Sequence, residues 1–183
     1  MMERMVWLLV WIMLLLPATL LASGLEAQMR MAEQGNPQAQ RKVGQIYYEG
    51  KGVQQDYQMA MHWFRLAAEQ GDAEAQNGVG TLYDNGKGVP RDYREAARWF
   101  RLAAEQGHVL ARRNLGWMYE KGQGFEKDPV LAYQWQYLAQ MAQNKRRGEE
   151  QSCRLCVALA QKMTPEQVAQ AEALARRWRP GTP

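Results

Sequence analysis

The chain has 183 residues, of which 46% are hydrophobic and 23% charged, so it is large enough for one domain or one short repeat array, and wholesale disorder is excluded. It contains only two histidines and two cysteines, and we therefore expect no metal site and no cofactor. The formal net charge of +4 comes from interspersed charges of both signs.

The N-terminus predicts a targeting segment. Residues 5–16 form an unbroken apolar run, preceded by Arg4 and followed by Pro17 and several small residues, which is the pattern of a secretory signal peptide; we assign it to 1–24. The alternative is an uncleaved membrane anchor over 5–22, although a bilayer span needs about 20 apolar residues and this stretch is interrupted. We therefore expect a bacterial periplasmic or secreted protein, with an inner-membrane anchored form as the alternative.

Most of the remaining chain repeats itself with a period of 36 residues. The motif AEQG recurs at 32–35, 68–71 and 104–107, and the first two units share 21 identical residues at 36 aligned positions. A period in this range indicates a solenoid of stacked supersecondary units. We place a capping helix at 25–34, repeats at 35–70, 71–106 and 107–143, and a helical cap at 144–183.

Each unit is predicted to contain two helices, A and B. In the second unit Asp72 is a good N-cap, helix A covers about 73–84, and Gly86 ends it by adopting the left-handed conformation. After a glycine-rich loop, Asp92 caps helix B, which covers about 93–105. The residues at the other helix A cap positions are Asn36, His108 and Asn144, and those at the other helix B cap positions are Asp56 and Asp128.

Helix B carries apolar residues at helical spacing, which defines one buried face that includes a tryptophan in every unit. Helix A has an internal glycine in every unit, and each should cost about 1 kcal/mol relative to alanine. Because a repeated cost implies a benefit, we expect the glycines to make room for the indole rings. The glycines are Gly44, Gly80 and Gly116, and the tryptophans are Trp63, Trp99 and Trp135.

These residues resemble the Sel1-like repeat family, which is related to the tetratricopeptide repeat. The resemblance rests on the columns A…G…Y…G-x-G-V…D-Y…A…W-F…A-A-E-x-G and covers residues 32–140. It implies an all-α fold, an α-solenoid of about seven to nine helices in a right-handed superhelix, and a protein that serves mainly as an adaptor. The third unit departs from the pattern at Phe125, Pro129, Gln136 and Gln140.

The C-terminal part departs from the repeat and is predicted to cover the last core of the solenoid. We expect a helix over 148–162, and Thr164-Pro165-Glu166-Gln167 then provides the cap of a further helix. That helix carries an apolar stripe formed by Val168, Ala171, Leu174, Ala175 and Trp178.

Cys153 and Cys156 have the thiol spacing of redox enzymes. A thioredoxin-like site requires a strand before the cysteines, and the sequence predicts none there. Residues at i and i+3 of a helix are close enough for a disulfide, and an exported protein allows one to form. We expect a structural disulfide, and free thiols or a redox function remain the alternatives.

A second face of helix A differs from unit to unit, whereas the buried face is repeated. We hypothesise that this variable stripe contacts a partner, with Tyr48 and Trp117 as anchors, because aromatic side chains dominate binding hot spots. The alternative is that the positions are merely solvated and that Trp117 packs under the C-terminal cap. The stripe comprises Gln38, Arg41, Gln45, Tyr48, Glu74, Asn77, Thr81, Asp84, Leu110, Arg113, Trp117 and Glu120.

We therefore expect an exported, non-catalytic scaffold that binds a protein or peptide. Export and the mixed charges argue against a nucleic-acid partner. A membrane would be involved only if the N-terminal segment is retained. One alternative is a membrane-anchored assembly factor. Another is an enzyme, because some exported relatives with cysteine-rich repeats are linked to β-lactam binding or hydrolysis. Those relatives pair cysteines within each repeat, and this chain has none there. Neither Ser23 nor Ser152 precedes a lysine by three positions, as a penicillin-recognising serine would.

Overall fold

A computed structural model describes residues 25–147 and 153–179, and within these ranges the chain consists of α-helices joined by turns, without strands. The all-α solenoid fold is confirmed. None of the helices in these ranges combines the length and the apolar character that crossing a bilayer requires. The predicted signal peptide at 1–24 and its alternative, the anchor over 5–22, lie outside the described residues.

The helices pack on one another in chain order. Successive antiparallel pairs, α2 with α3, α4 with α5, and α6 with α7, stack side by side, and α8 and α9 then pack against α7. The bounds are 25–33 for α1, Pro37–Glu49 for α2, Tyr57–Glu69 for α3, Ala73–Asn85 for α4, Tyr93–Glu105 for α5, Val109–Lys121 for α6, Pro129–Arg147 for α7, Arg154–Ala160 for α8 and Pro165–Arg177 for α9.

The ends of the repeated helices agree with the predicted caps. The side chain of Asp72 accepts a hydrogen bond from the amide of Ala75 at 2.8 Å, and His108 accepts one from Ala111 at 3.2 Å. Gly86 ends α4 in the left-handed conformation, with φ at +65°. These contacts satisfy amides and carbonyls that a helix end leaves without partners, which is why the cap positions repeat together with the helices.

The glycines inside helix A make room for phenylalanine, so their predicted assignment to tryptophan rings is wrong. A Cβ added to Gly44 would lie 2.7 Å from Cδ1 of Phe64, and one added to Gly80 would lie 2.7 Å from Cδ1 of Phe100. In the third unit, Gln136 stands in the phenylalanine column and its Cγ meets the same space. The tryptophans of helix B are buried, but on the side of the preceding helices: Trp63 packs with residues of α1 and α2, and Trp99 with residues of α3 and α4.

Asn144 is not an N-cap, which corrects another prediction. It lies inside α7, where it is buried and its Oδ1 accepts a hydrogen bond from Nε2 of Gln140 at 2.8 Å. The reason is at the preceding position. Gly71 and Gly107 end the earlier B helices with positive φ, whereas Gln143 stands in that column and lets α7 continue to Arg147. The limit drawn between 143 and 144 therefore falls inside a helix.

The C-terminal cap consists of α8 and α9. The helix predicted over 148–162 is shorter where it is described, because α8 begins only after Cys153, which serves as its N-cap. The predicted capping box of α9 is present at Thr164 and Gln167. The ring of Trp178 packs edge-on against Trp135, with centroids 6.1 Å apart, so α9 covers the end of the last repeat.

A disulfide joins Cys153 and Cys156, whose Cα atoms are 5.2 Å apart. Replacing both cysteines by alanine should lower the free energy of unfolding by about 2 kcal/mol, because the bridge closes only a very short loop and restricts the unfolded chain modestly. Thermal unfolding followed by circular dichroism measures the change. The parent protein under reducing conditions is the control and should unfold near the temperature of the double variant. Equal unfolding temperatures for the oxidised and reduced parent would contradict the prediction.

Candidate protein-binding groove

One groove with a volume of about 300 Å³ collects most of the variable stripe, and we call it the central groove. Seven of the twelve stripe residues line it, and Leu110 is the one that α6 contributes. The groove lies on the outer faces of α2 and α4, opposite the faces that bury Ala39 and Val79. Its lining residues are Arg41, Gln45, Tyr48, Glu49, Phe64, Glu74, Asn77, Gly78, Thr81 and Leu110.

The floor of the central groove was not predicted. It is formed by the Phe64 ring and by Gly78, whose added Cβ would lie 3.0 Å from Cδ2 of that ring. Phe64 therefore lies between glycines of two successive helix A segments, since Gly44 contacts its other edge. A sequence signal for Gly78 does exist, because it is a helical glycine that the other units do not share.

Ionic contacts hold the walls of the central groove. Arg41 on α2 donates to Asp72 at 3.0 Å and also pairs with Glu74 at 3.2 Å, so it ties α2 to the start of α4. Glu49 pairs with Lys51 and accepts a hydrogen bond from Gln45 at 2.9 Å, and these two contacts lower the pKa of its carboxyl. Charges of both signs thus face the groove, and each is held by a neighbour.

Polar and aromatic contacts fix other lining residues. Thr81 donates its hydroxyl to the carbonyl oxygen of Asn77, and the Asn77 side chain accepts a hydrogen bond from Asn114 at 3.3 Å. Tyr48 is half-buried and packs edge-on against Tyr57, with ring centroids 5.5 Å apart. The groove is therefore preformed, which reduces the entropy lost when a ligand binds.

Trp117 is 41% exposed, which excludes the alternative that it packs under the C-terminal cap. It lies on the variable face of α6 but does not line the central groove. Four further predicted residues also lie outside it. Gln38 is exposed at the start of α2, Asp84 is half-buried with its carboxyl pKa raised by burial, Glu120 is half-buried beside Lys121, and Arg113 lines a second cavity.

The second cavity has a volume of about 230 Å³ and lies between α6, α7 and α8; we call it the α6–α8 cavity. Leu110 lines both cavities, so the two are neighbours along the same side of the solenoid. The other residues that line the α6–α8 cavity are Val109, Arg113, Gln136, Ala139, Gln140, Gln143 and Leu155.

The histidines have structural surroundings. His62 is exposed beside the Trp63 ring, and His108 caps α6. Residues 25–147 and 153–179 contain no group of three or more histidine, cysteine, aspartate or glutamate side chains that could hold a metal ion. The residues that line the two cavities offer hydrogen bonding, ion pairing and apolar contact.

The solved structures that are similar to the chain include two repeat proteins. One is c5321, a protective antigen present in uropathogenic Escherichia coli strains that displays an SLR fold; it is 35% identical, with a TM-score of 0.76 over 84% of this chain and 32% of that one. The other is a Sel1 repeat protein from Oxalobacter formigenes, 38% identical, with a TM-score of 0.59 over 68% of this chain and 96% of that one. The chain thus spans about a third of c5321. No curated protein shows significant sequence similarity to this chain.

The family model of the Sel1 repeat matches residues 37–72, 73–108 and 109–145, which together make up more than half of the chain. These limits are offset by two residues from those predicted above, since the starting point of a repeat is arbitrary. Sel1 repeat proteins generally mediate protein–protein interactions. The repeat match and the two similar structures confirm the resemblance read from the glycine and tryptophan columns: the chain belongs to the Sel1 repeat family.

Proposed function

We propose that this protein is an exported, non-catalytic scaffold that binds a peptide or a surface segment of a partner protein in the central groove. One observation carries the proposal: seven of the twelve residues of the variable stripe, from three successive A helices of otherwise similar repeats, line one groove. Positions that only stabilise the stack repeat from unit to unit, as the buried alanines of α3 and α5 do. Variation at neighbouring positions of one preformed face is what a specific binding surface requires.

The groove and its surroundings offer anchors of several kinds. Leu110 is 47% exposed at the edge of the central groove, and Trp117 lies further along the same helix. Tryptophan is enriched among the residues that contribute most to binding, and apolar side chains line most preformed binding pockets. The charged walls then select the partner's orientation, because each wrongly placed charge would lose its hydration without gaining a contact.

Export belongs to the same proposal. The apolar run at 5–16, with Arg4 before it and Pro17 after it, supports entry into the secretory pathway. The disulfide between Cys153 and Cys156 is of a kind that persists in oxidising compartments such as the periplasm. We therefore place the protein in the bacterial periplasm or outside the cell.

Site-specific photo-crosslinking in the native host tests the binding proposal. A photoreactive amino acid at Gln45, an exposed position in the central groove, should form a discrete crosslinked species. The same amino acid at His62, an exposed position on α3 outside the groove, should not form it. Leu110→Ala should reduce the yield at Gln45 about tenfold, since it removes an apolar anchor.

Leu102→Ala provides the matched control, because Leu102 is also an exposed leucine but lies on α5 outside the groove. It should leave the crosslink unchanged, and both variants should keep the helicity of the parent protein. Crosslinks of equal yield at Gln45 and His62, or equal losses in the two leucine variants, would contradict binding in the central groove.

A further inference from the structure

The α6–α8 cavity forms where the third repeat departs from the other two. Three glutamines of α7 replace residues that are apolar or small in the earlier units: Gln136 takes the column of Phe100, Gln140 that of Ala104, and Gln143 that of Gly107. Their spacing of i, i+4 and i+7 places them on one face of the helix. All three line the cavity. The columns of Gln136 and Gln140 are buried inside the stack in the earlier units, and here they form part of a polar wall.

Gln136 is the most unusual of these residues. Its side chain is only 5% exposed, and its Oε1 is buried with no hydrogen-bond partner among residues 25–147 and 153–179. Its aliphatic part packs against Gly116, as the phenylalanine rings pack against Gly44 and Gly80. A buried acceptor without a donor costs free energy, and folded proteins leave few of them. Phenylalanine would fill this space without that cost, so the glutamine calls for an explanation beyond packing.

Arg113 contributes an available cation to the same cavity. It is exposed, lines the cavity, and makes no ion pair with any residue in the described ranges 25–147 and 153–179. Most arginines that face the core or the groove, such as Arg41 and Arg112, are held by neighbours. Two leucines flank it, Leu110 and Leu155, which are 47% and 48% exposed. The cavity therefore combines an unpaired acceptor, an unpaired cation and an apolar rim.

We infer that the α6–α8 cavity binds an extended peptide segment of the partner in which an acidic residue lies next to an aliphatic one. A main-chain N–H of that segment donates to Oε1 of Gln136, after rotation of the terminal amide about its soft χ3 torsion. The acidic side chain pairs with Arg113, and the aliphatic side chain lies between Leu110 and Leu155. The inference rests on the proposed function, because Leu110 joins this cavity to the central groove.

Random peptides displayed on phage are the probe, selected against the purified full-length protein. Selected peptides are then synthesised, and their dissociation constants are measured by fluorescence anisotropy. The expected peptides contain an aspartate or glutamate beside an aliphatic residue. Gln136→Phe, which restores the residue of the other repeats, should weaken their binding about tenfold or more while the unfolding temperature stays equal or rises. A retained fold is therefore part of the same measurement.

A mutant cycle tests the acidic contact. Arg113→Gln and replacement of the peptide's acidic residue by its amide should each weaken binding, and the two changes together should weaken it little more than either alone. Gln45→Trp serves as the groove variant, because it places a large side chain in the central groove. Its effect on peptide binding distinguishes failure of this inference from failure of the proposed function.

Three results are informative in different ways. Peptides weakened by Gln136→Phe and coupled to Arg113 support the inference. Peptides weakened only by Gln45→Trp overturn it and leave the proposed function standing. Peptides that respond to none of these variants, or a library that yields no binder, overturn both.

Discussion

Replacing Phe100 by alanine is expected to lower the free energy of unfolding by about 3–5 kcal/mol, a cost typical of deleting a buried aromatic ring. Phe100 is 1% exposed and packs in the core that α5 shares with α6, and its ring also fills the space above Gly80. Its removal therefore leaves a cavity at the seam between the second and third repeats. Urea unfolding of the variant and of the parent, followed by circular dichroism, measures the difference.

A double-mutant cycle with Gly80 shows whether this ring is what the helical glycine accommodates. In the parent protein, Gly80→Ala should be destabilising by about 1–3 kcal/mol, because its Cβ would lie 2.7 Å from Cδ1 of Phe100. In the Phe100→Ala background the ring is gone, and Gly80→Ala should be close to neutral. The helix preference of alanine over glycine, about 1 kcal/mol, then offsets the contact of the added Cβ with the carbonyl oxygen of Ala96 at 3.2 Å. Trp99→Ala is the control background. An equal cost of Gly80→Ala in all backgrounds would contradict the assignment.

The confusion between these two rings shows the limit of periodicity. Trp99 and Phe100 are adjacent, so their directions differ by about 100° around α5, and both fall within one broad apolar face. Only packing shows that Trp99 joins the core with α3 and α4, whereas Phe100 lies against Gly80 of α4 and joins the core with α6. The pattern therefore predicts burial correctly for both residues and leaves their neighbours undetermined.

Helix ends were predictable because each depends on local chemistry. Asp72 caps α4 through a contact within one turn, and Gly86 ends it through its own backbone conformation. The prediction fails at Asn144 for the same reason: the residue before it is Gln143, which cannot terminate α7 as glycine does. A cap residue predicts a helix start only where the preceding helix has ended.

The candidate groove was predictable in part. Variation between repeats identified most of its walls, because residues at a shared helical face must project to the same side. The floor of the groove was missed because the sequence pattern identifies Phe64 only as a core residue. Trp117 was wrongly included among the groove residues because a helical stripe does not show where the groove ends. The α6–α8 cavity was missed because it needs α8, whose position relative to α6 is set by tertiary packing.

Replacing Gly88 by alanine is expected to cost about 2–5 kcal/mol, because two penalties add. Gly88 has a φ of +71°, where a side chain costs about 1–2 kcal/mol. An added Cβ would also collide with the carbonyl group of Tyr57 and lie 2.9 Å from the amide nitrogen of Gln58. Both groups belong to the backbone at the start of α3, so neither can rotate away. Overpacking of this kind costs about 1–3 kcal/mol in addition.

Gly71→Ala is the matched control. Gly71 also has positive φ, at +92°, but an added Cβ would meet no atom within 4 Å, so only the conformational penalty applies. Because the loop of Gly88 packs the second repeat onto the first, its variant should unfold in a broader transition as the repeats uncouple, whereas Gly71→Ala should keep the sharpness of the parent. Thermal and urea unfolding monitored by circular dichroism measure both features. Equal costs for the two variants would show that backbone conformation alone, and not contact between repeats, requires the glycine of this loop.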